Sequence, residues 1–173
     1  MQIKIALTPA AYYFLLHEFR LYRRTLPYQY IDLSAVQNNL ITDKLYDLLE
    51  RPTHFSTQHQ QACYQSKDTI SLTLRLPQWV AARAGWELSD EKVHRFNKYV
   101  ERLMQERLFT LLETLLHVPG ERRLISDIIQ TFIAQYGLEE AGMNYERLKK
   151  AYYRFRQNPR SDRTVPRFVE AVA

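Results

Sequence analysis

His54, His59 and Cys63 fall within ten positions of one another, three potential ligands that could in principle hold a metal. Imidazole nitrogens and a thiolate are the donors of tetrahedral zinc sites. Here the closely spaced ligand pairs of such sites are missing, and the surrounding segment is rich in Gln, Ser and Thr, so no metal is expected. Asp43 and Asp47 stand one helical turn apart, whereas Glu101 and Glu106 do not share a helix face. Acid pairs of this kind are ordinary surface features. His94 and His117 flank a long helical pattern with no nucleophile spaced to use them as a base. The chain has no Gly-rich phosphate loop, no Gly-x-Ser-x-Gly elbow and no His-Glu-x-x-His pair. The expectation is a non-catalytic protein that needs no cofactor.

Residues that could hold phosphate are more telling. Between Asn144 and Arg167 lie Arg147, Lys149, Lys150, Arg154, Arg156, Arg160, Arg163 and Arg167, opposed only by Glu146 and Asp162. That stretch carries +6 in a chain of net charge +5, which leaves the remainder near −1. Tyr145, Tyr153 and Phe155 are interleaved with the cations. Basic side chains alternating with aromatic rings suit phosphate neutralisation with stacking on a base or sugar. A second basic knot, Arg20, Arg23 and Arg24, ends the first helical pattern, where cations also complement a helix dipole. The competing reading is a solvated basic face that docks an acidic protein.

Composition narrows the class. With 46% apolar and 25% charged residues, the 173-residue chain falls among ordinary globular proteins of one domain, or one domain with a small appendage. Its longest apolar stretch, Ala10 to Leu16, is far short of the roughly 20 residues that cross a bilayer, so no membrane contact is expected. Lys4 sits inside an alternating pattern, and no leader peptide is read there. A lone cysteine, Cys63, excludes an internal disulfide. We expect a cytoplasmic setting.

The elements that must position these residues follow from periodicity. Ile3, Ile5 and Leu7 alternate with Gln2, Lys4 and Ala6, and Ile70, Leu72, Leu74 and Leu76 alternate with Ser71, Thr73 and Arg75. Period two predicts two strands, each with one buried face. Each strand runs into a proline, Pro9 or Pro77, that opens a helix, with Thr8 as N-cap of the first. Helices are predicted from Pro9 to Arg24, from Asp32 or Ser34 to Arg51, and from Gln78 to about Ala84, where Gly85 stops the third. Ser89 starts a long helix to about His117, followed by helices over Glu121–Tyr136 and Asn144–Gln157. Thr53 to Asp68 reads as a polar loop. The expected fold is mainly α: a helical bundle with a two-stranded antiparallel β ribbon formed by residues 2–8 and 70–76. Residues 1–117 would form one unit, and 118–173 a C-terminal helical pair with a basic tail.

Strand, proline, helix, break and capped helix occur twice, over Gln2–Arg51 and Ile70–His117. The stretch Ile70-Ser-Leu-Thr-Leu-Arg-Leu-Pro, followed by Trp79-Val-Ala-Ala-Arg-Ala-Gly-Trp-Glu-Leu-Ser-Asp-Glu, resembles the ribbon-helix-helix DNA-binding proteins. The resemblance implies that the two strands pair within one chain, as in tandem members, and enter the major groove. Gln2, Lys4, Ser71, Thr73 and Arg75 would then face the DNA, and Ser89 with the amides after it would hold a phosphate. Ala6 departs from the pattern because it cannot hydrogen-bond a base, and Asp90 and Glu91 oppose a phosphate at Ser89. The last two helices also fit a helix-turn-helix arrangement, with Arg147, Lys149, Lys150, Arg154 and Arg156 on the basic helix. Together these features predict a DNA-binding regulator or accessory protein. The alternative is a helical structural or adaptor protein that forms a homodimer or docks an acidic partner.

Overall fold

The computed structural model describes residues 1–19, 31–33, 39–52, 69–117 and 124–157. The chain is mainly helical with a small sheet. Strands β1 (Gln2–Leu7) and β3 (Ile70–Arg75) pair antiparallel, with Lys4 opposite Thr73 and Ile5 opposite Leu72. Their alternation works as the sequence implies: Ile3, Ile5, Leu7, Leu72 and Leu74 are buried beneath the sheet.

The ribbon has a third strand. β2 (Ile31–Asp32) lies parallel to β3 on its far edge, giving the order β1-β3-β2. Asp32 is therefore not a helix cap. Ile31 and Leu33 alternate into the core, and the Asp32 carboxylate meets Arg75 on the neighbouring strand at 3.7 Å. The helix expected from Asp32 or Ser34 to Arg51 is shorter: α2 spans Leu40–Leu48. Asn39 caps it, its Oδ1 accepting the Ile41 N–H at 2.8 Å. It stops before Arg51 because Leu49 turns extended and Glu50 spends its backbone on a bridge to Glu87.

Of the other helices the third, fourth and last keep their expected limits within a residue, whereas the first ends before Arg24 and the fifth starts at Ile125, after the N-cap Leu124, and not at Glu121. α1 (Pro9–Glu18) begins at Thr8, which accepts from the Ala11 N–H. It stops at Glu18 with Phe19 as its C-cap, short of the expected end at Arg24. Arg20, Arg23 and Arg24 themselves lie outside the described residues, as does the loop at 53–68. α3 (Gln78–Ala84) ends at Gly85. α4 (Asp90–Leu116) follows Ser89, α5 (Ile125–Tyr136) closes on left-handed Gly137 (φ 63°), and α6 is Tyr145–Gln157. The Asn144 carboxamide accepts the Arg147 N–H at 2.9 Å and caps α6.

α4 is the spine, against which β1, α1, α2, α5 and α6 all pack. Its stripe of Val93, Phe96, Val100, Met104, Leu108 and Leu112 is buried, at the i, i+3, i+4 spacing of one helix face. Phe14 of α1 stacks on Tyr136 of α5 with ring centroids 5.2 Å apart, and Phe109 of α4 stacks on Phe155 of α6 at 4.8 Å. A single hydrophobic cluster runs from Ile3 to Tyr152 across the expected boundary at 117/118.

Candidate nucleic-acid interface

The strand register gathers the ribbon residues. Gln2 faces Arg75, Lys4 faces Thr73 and Ala6 faces Ser71, so all share the face opposite the core. Gln2, Lys4, Ser71 and Arg75 are exposed, and Thr73 is half-buried. β2 adds Asp32 beside Arg75 on this face. The guanidinium is drawn toward that carboxylate, so Lys4 is the cation of this face with no ion pair among the described residues. A hollow of about 220 Å³ opens at the same end of the sheet, lined by Met1, Asp32, Arg75, Leu76, Pro77 and Gln78.

Ser89 is exposed at the N-cap of α4 but makes no side-chain capping bond. The first turn carries Asp90 and Glu91, and Glu91 pairs with Arg95 at 2.5 Å. Lys92 pairs with Glu50. Eight residues along, Asn97 is buried against the junction of β1 and α1, so Ser89 stands about 12 Å from that anchor along the helix axis.

On α6 the five expected contact residues fall into two sets. Leu148 and Tyr152 are buried and define the inner face. Arg156 turns toward α4, 4.0 Å from the Glu113 carboxylate and 6.0 Å from the Tyr152 ring centroid. Lys149 lies 3.8 Å from Glu146 and 5.0 Å from the Tyr145 ring centroid. A hydrogen bond with Tyr145 and the nearby Glu146 carboxylate raise its pKa above the ordinary lysine value. Arg147, Lys150 and Arg154, spaced three and four apart, lie on the outer face, exposed and with no side-chain ion pair among the described residues. Tyr153 stands beside them, 41% exposed. Arg160, Arg163 and Arg167 lie outside the described residues.

Two tyrosine–glutamate contacts hold this half of the molecule together. The Tyr152 hydroxyl donates to Glu113 at 2.6 Å, fixing the rotation of α6 on α4. The Tyr136 hydroxyl donates to Glu18 at 3.1 Å, and Arg107 grips the same carboxylate at 2.8 Å, tying α5 to α1 and α4. Burial and the Glu18 charge push the Tyr136 phenol up to about 12, against the opposing pull of Arg107. Burial, then the bond to Glu113, pushes Tyr152 up to about 12 as well.

The fold thus favours both neutral phenols. Their contribution is complete below the ordinary tyrosine value of about 10 and is lost as pH rises through about 12. Thermal melts should show the midpoint falling between pH 10 and 12. Tyr136→Phe and Tyr152→Phe should each lower the midpoint at neutral pH and flatten that alkaline fall. An equally steep fall in both variants would show that these phenols do not cause it.

Sequence reasoning took Asp32 for a helix start and missed its place beside Arg75, and it missed Asn97, Glu113 and the pairing of Glu18 with Tyr136. Only Asn97 left a signal, as a polar residue inside the apolar stripe of α4. The chain also exposes two indole rings: Trp79 is 63% exposed, with its ring edge-to-face against Tyr46 at 6.0 Å, and Trp86 is 38% exposed. Among the described residues, no group of three His, Cys, Asp or Glu side chains could hold a metal, and no helix is long and apolar enough to cross a membrane. His54, His59 and Cys63 lie outside the described residues. Comparison of the chain with protein-family models, curated proteins and solved structures gives no match.

Proposed function

We propose that the chain is a non-catalytic DNA-binding protein. The observation that carries this reading is the outer stripe of α6, where Arg147, Lys150 and Arg154 project together without an ion pair among the described residues. Unpaired cations aligned on one helix face are the electrostatic footprint of a phosphate backbone. Two surfaces compete for that contact: α6, and the outer face of the sheet to which the ribbon-helix-helix resemblance points.

The test is duplex-DNA affinity measured against salt. Log affinity should fall linearly with log salt, with a slope of about −0.9 per phosphate neutralised. Combined Arg147→Ala, Lys150→Ala and Arg154→Ala substitution should make that slope shallower by about 2 to 3 and weaken binding by on the order of 100-fold at low salt. Affinity no higher than that of an unrelated protein of equal charge, and unmoved by the substitutions, overturns the reading.

The exposed Trp79 and Trp86, with Tyr46, favour a second reading, an adaptor that docks a protein partner, because Trp and Tyr supply much of the binding energy at such interfaces. Self-association or partner capture that Trp79→Ala abolishes, with no retention on heparin at moderate salt, would support that reading over the first.

A further inference from the structure

Building on the DNA-binding reading, we propose that α6 is the element that enters the major groove of duplex DNA and that the outer face of the sheet does not read bases. α6 acts as the third helix of a three-helix unit with the C-terminal half of α4 and α5. Its inner face is fixed by buried Leu148 and Tyr152, by Phe155 stacked on Phe109, and by the Tyr152 hydroxyl on Glu113. The opposite face is therefore presented in one orientation. Its 13 residues make a rod about 20 Å long and 10–12 Å across, which matches a groove about 12 Å wide.

The turn into α6 is also held. The Leu138 N–H donates to Ile133 at 3.0 Å, the Met143 N–H donates to Leu138 at 3.1 Å, and both side chains are buried. A docked turn of this kind fixes α6 relative to α5, as helix-turn-helix recognition requires. Arg and Lys at 147, 150 and 154 are the side-chain types that pair with guanine O6 and N7. Exposed Glu139 and Glu140 in the turn repel phosphate, so the DNA backbone runs past the other end of the helix.

The sheet is the weaker reader. Arg75 is engaged by Asp32 on the same face, which leaves Lys4 as its cation without an ion pair among the described residues. The sheet docks on α4 at Asn97 and α6 docks at Glu113, about 24 Å apart along that helix, so the two surfaces are separate sites on the spine.

The experiment selects bound sequences from a random duplex pool with the full chain, then measures affinity for the selected duplex. Arg147→Ala, Lys150→Ala and Arg154→Ala should include at least one variant that loses tenfold or more and relaxes the selected sequence. Lys4→Ala and Thr73→Ala should stay within twofold, and methylation of guanine N7 in the site should block binding. Unchanged thermal midpoints exclude misfolding in all five variants. If the duplex binds but the sheet variants lose the affinity, or N7 methylation has no effect, this proposal is overturned while DNA binding stands. If no duplex is retained above an equally charged control protein, the functional reading itself fails.

Discussion

Gly85→Ala should unfold the protein or lower its thermal midpoint by more than about 10 °C, a loss of about 4 kcal/mol or more. Gly85 sits at φ 94° and ψ −164°, a conformation nearly closed to residues with a Cβ. A Cβ added there would lie 2.0 Å from the Glu50 carbonyl oxygen and 2.4 Å from the Arg51 nitrogen. Both atoms are backbone and cannot swing aside. The Glu50 segment is held by its own N–H on Glu87 at 2.9 Å and by the Glu87 and Trp86 N–H groups on its carbonyl at 3.1 and 3.0 Å. Relieving the clash means breaking that bridge and releasing α2 from α3 and the start of α4. Gly137→Ala is the control. Among the described residues its Cβ would meet only the Tyr13 ring, at 3.8 Å, so it should cost about 1 kcal/mol, the ordinary penalty of a left-handed residue. Equal midpoints for the two variants would refute this account.

Asn97→Leu should cost about 2–4 kcal/mol although it adds apolar bulk to an apolar stripe. The buried Asn97 carboxamide accepts the Thr8 N–H at 2.8 Å and donates to the Ala6 and Val93 carbonyls at 3.0 Å each. Ala6 and Thr8 lie where β1 hands over to α1, and leucine would strand their backbone groups without partners. One turn on, Glu101 accepts the Thr8 hydroxyl at 2.6 Å, so the sheet is pinned to α4 at two adjacent turns. Urea denaturation should show a lower midpoint with an unchanged slope, and amide exchange at the Thr8 N–H should rise. A midpoint equal to that of the parent chain would mean that packing, not these bonds, positions the sheet.

Local pattern carried much of the fold. Proline after an alternating strand, a Ser or Thr cap and a Gly stop are rules of adjacent residues, which is why α3 and α4 fall within a residue of their expected limits. β2 was illegible because two residues show no period. What makes Ile31–Asp32 a strand is the free edge of β3, a partner about forty residues away. The same holds at the candidate site. The charge of α6 is written in its residues, but Arg156 has Glu113 and Tyr152 as neighbours, Lys149 has Glu146 and Tyr145, and Arg75 is engaged by Asp32. Composition counts cations, while only packing decides which of them have neighbours.

By itself the sequence determined a mainly helical chain, two strands with one apolar face each, and a cation-rich segment near its end. These follow from side-chain period and local backbone preference, which act over a few residues. Tertiary structure alone decided the parallel third strand, the seat of Asn97 under the β1–α1 junction, and the division of α6 into an anchored side and an outward one. Those depend on contacts between residues far apart in the chain, whose distances exist only once α4 has gathered the other elements around it.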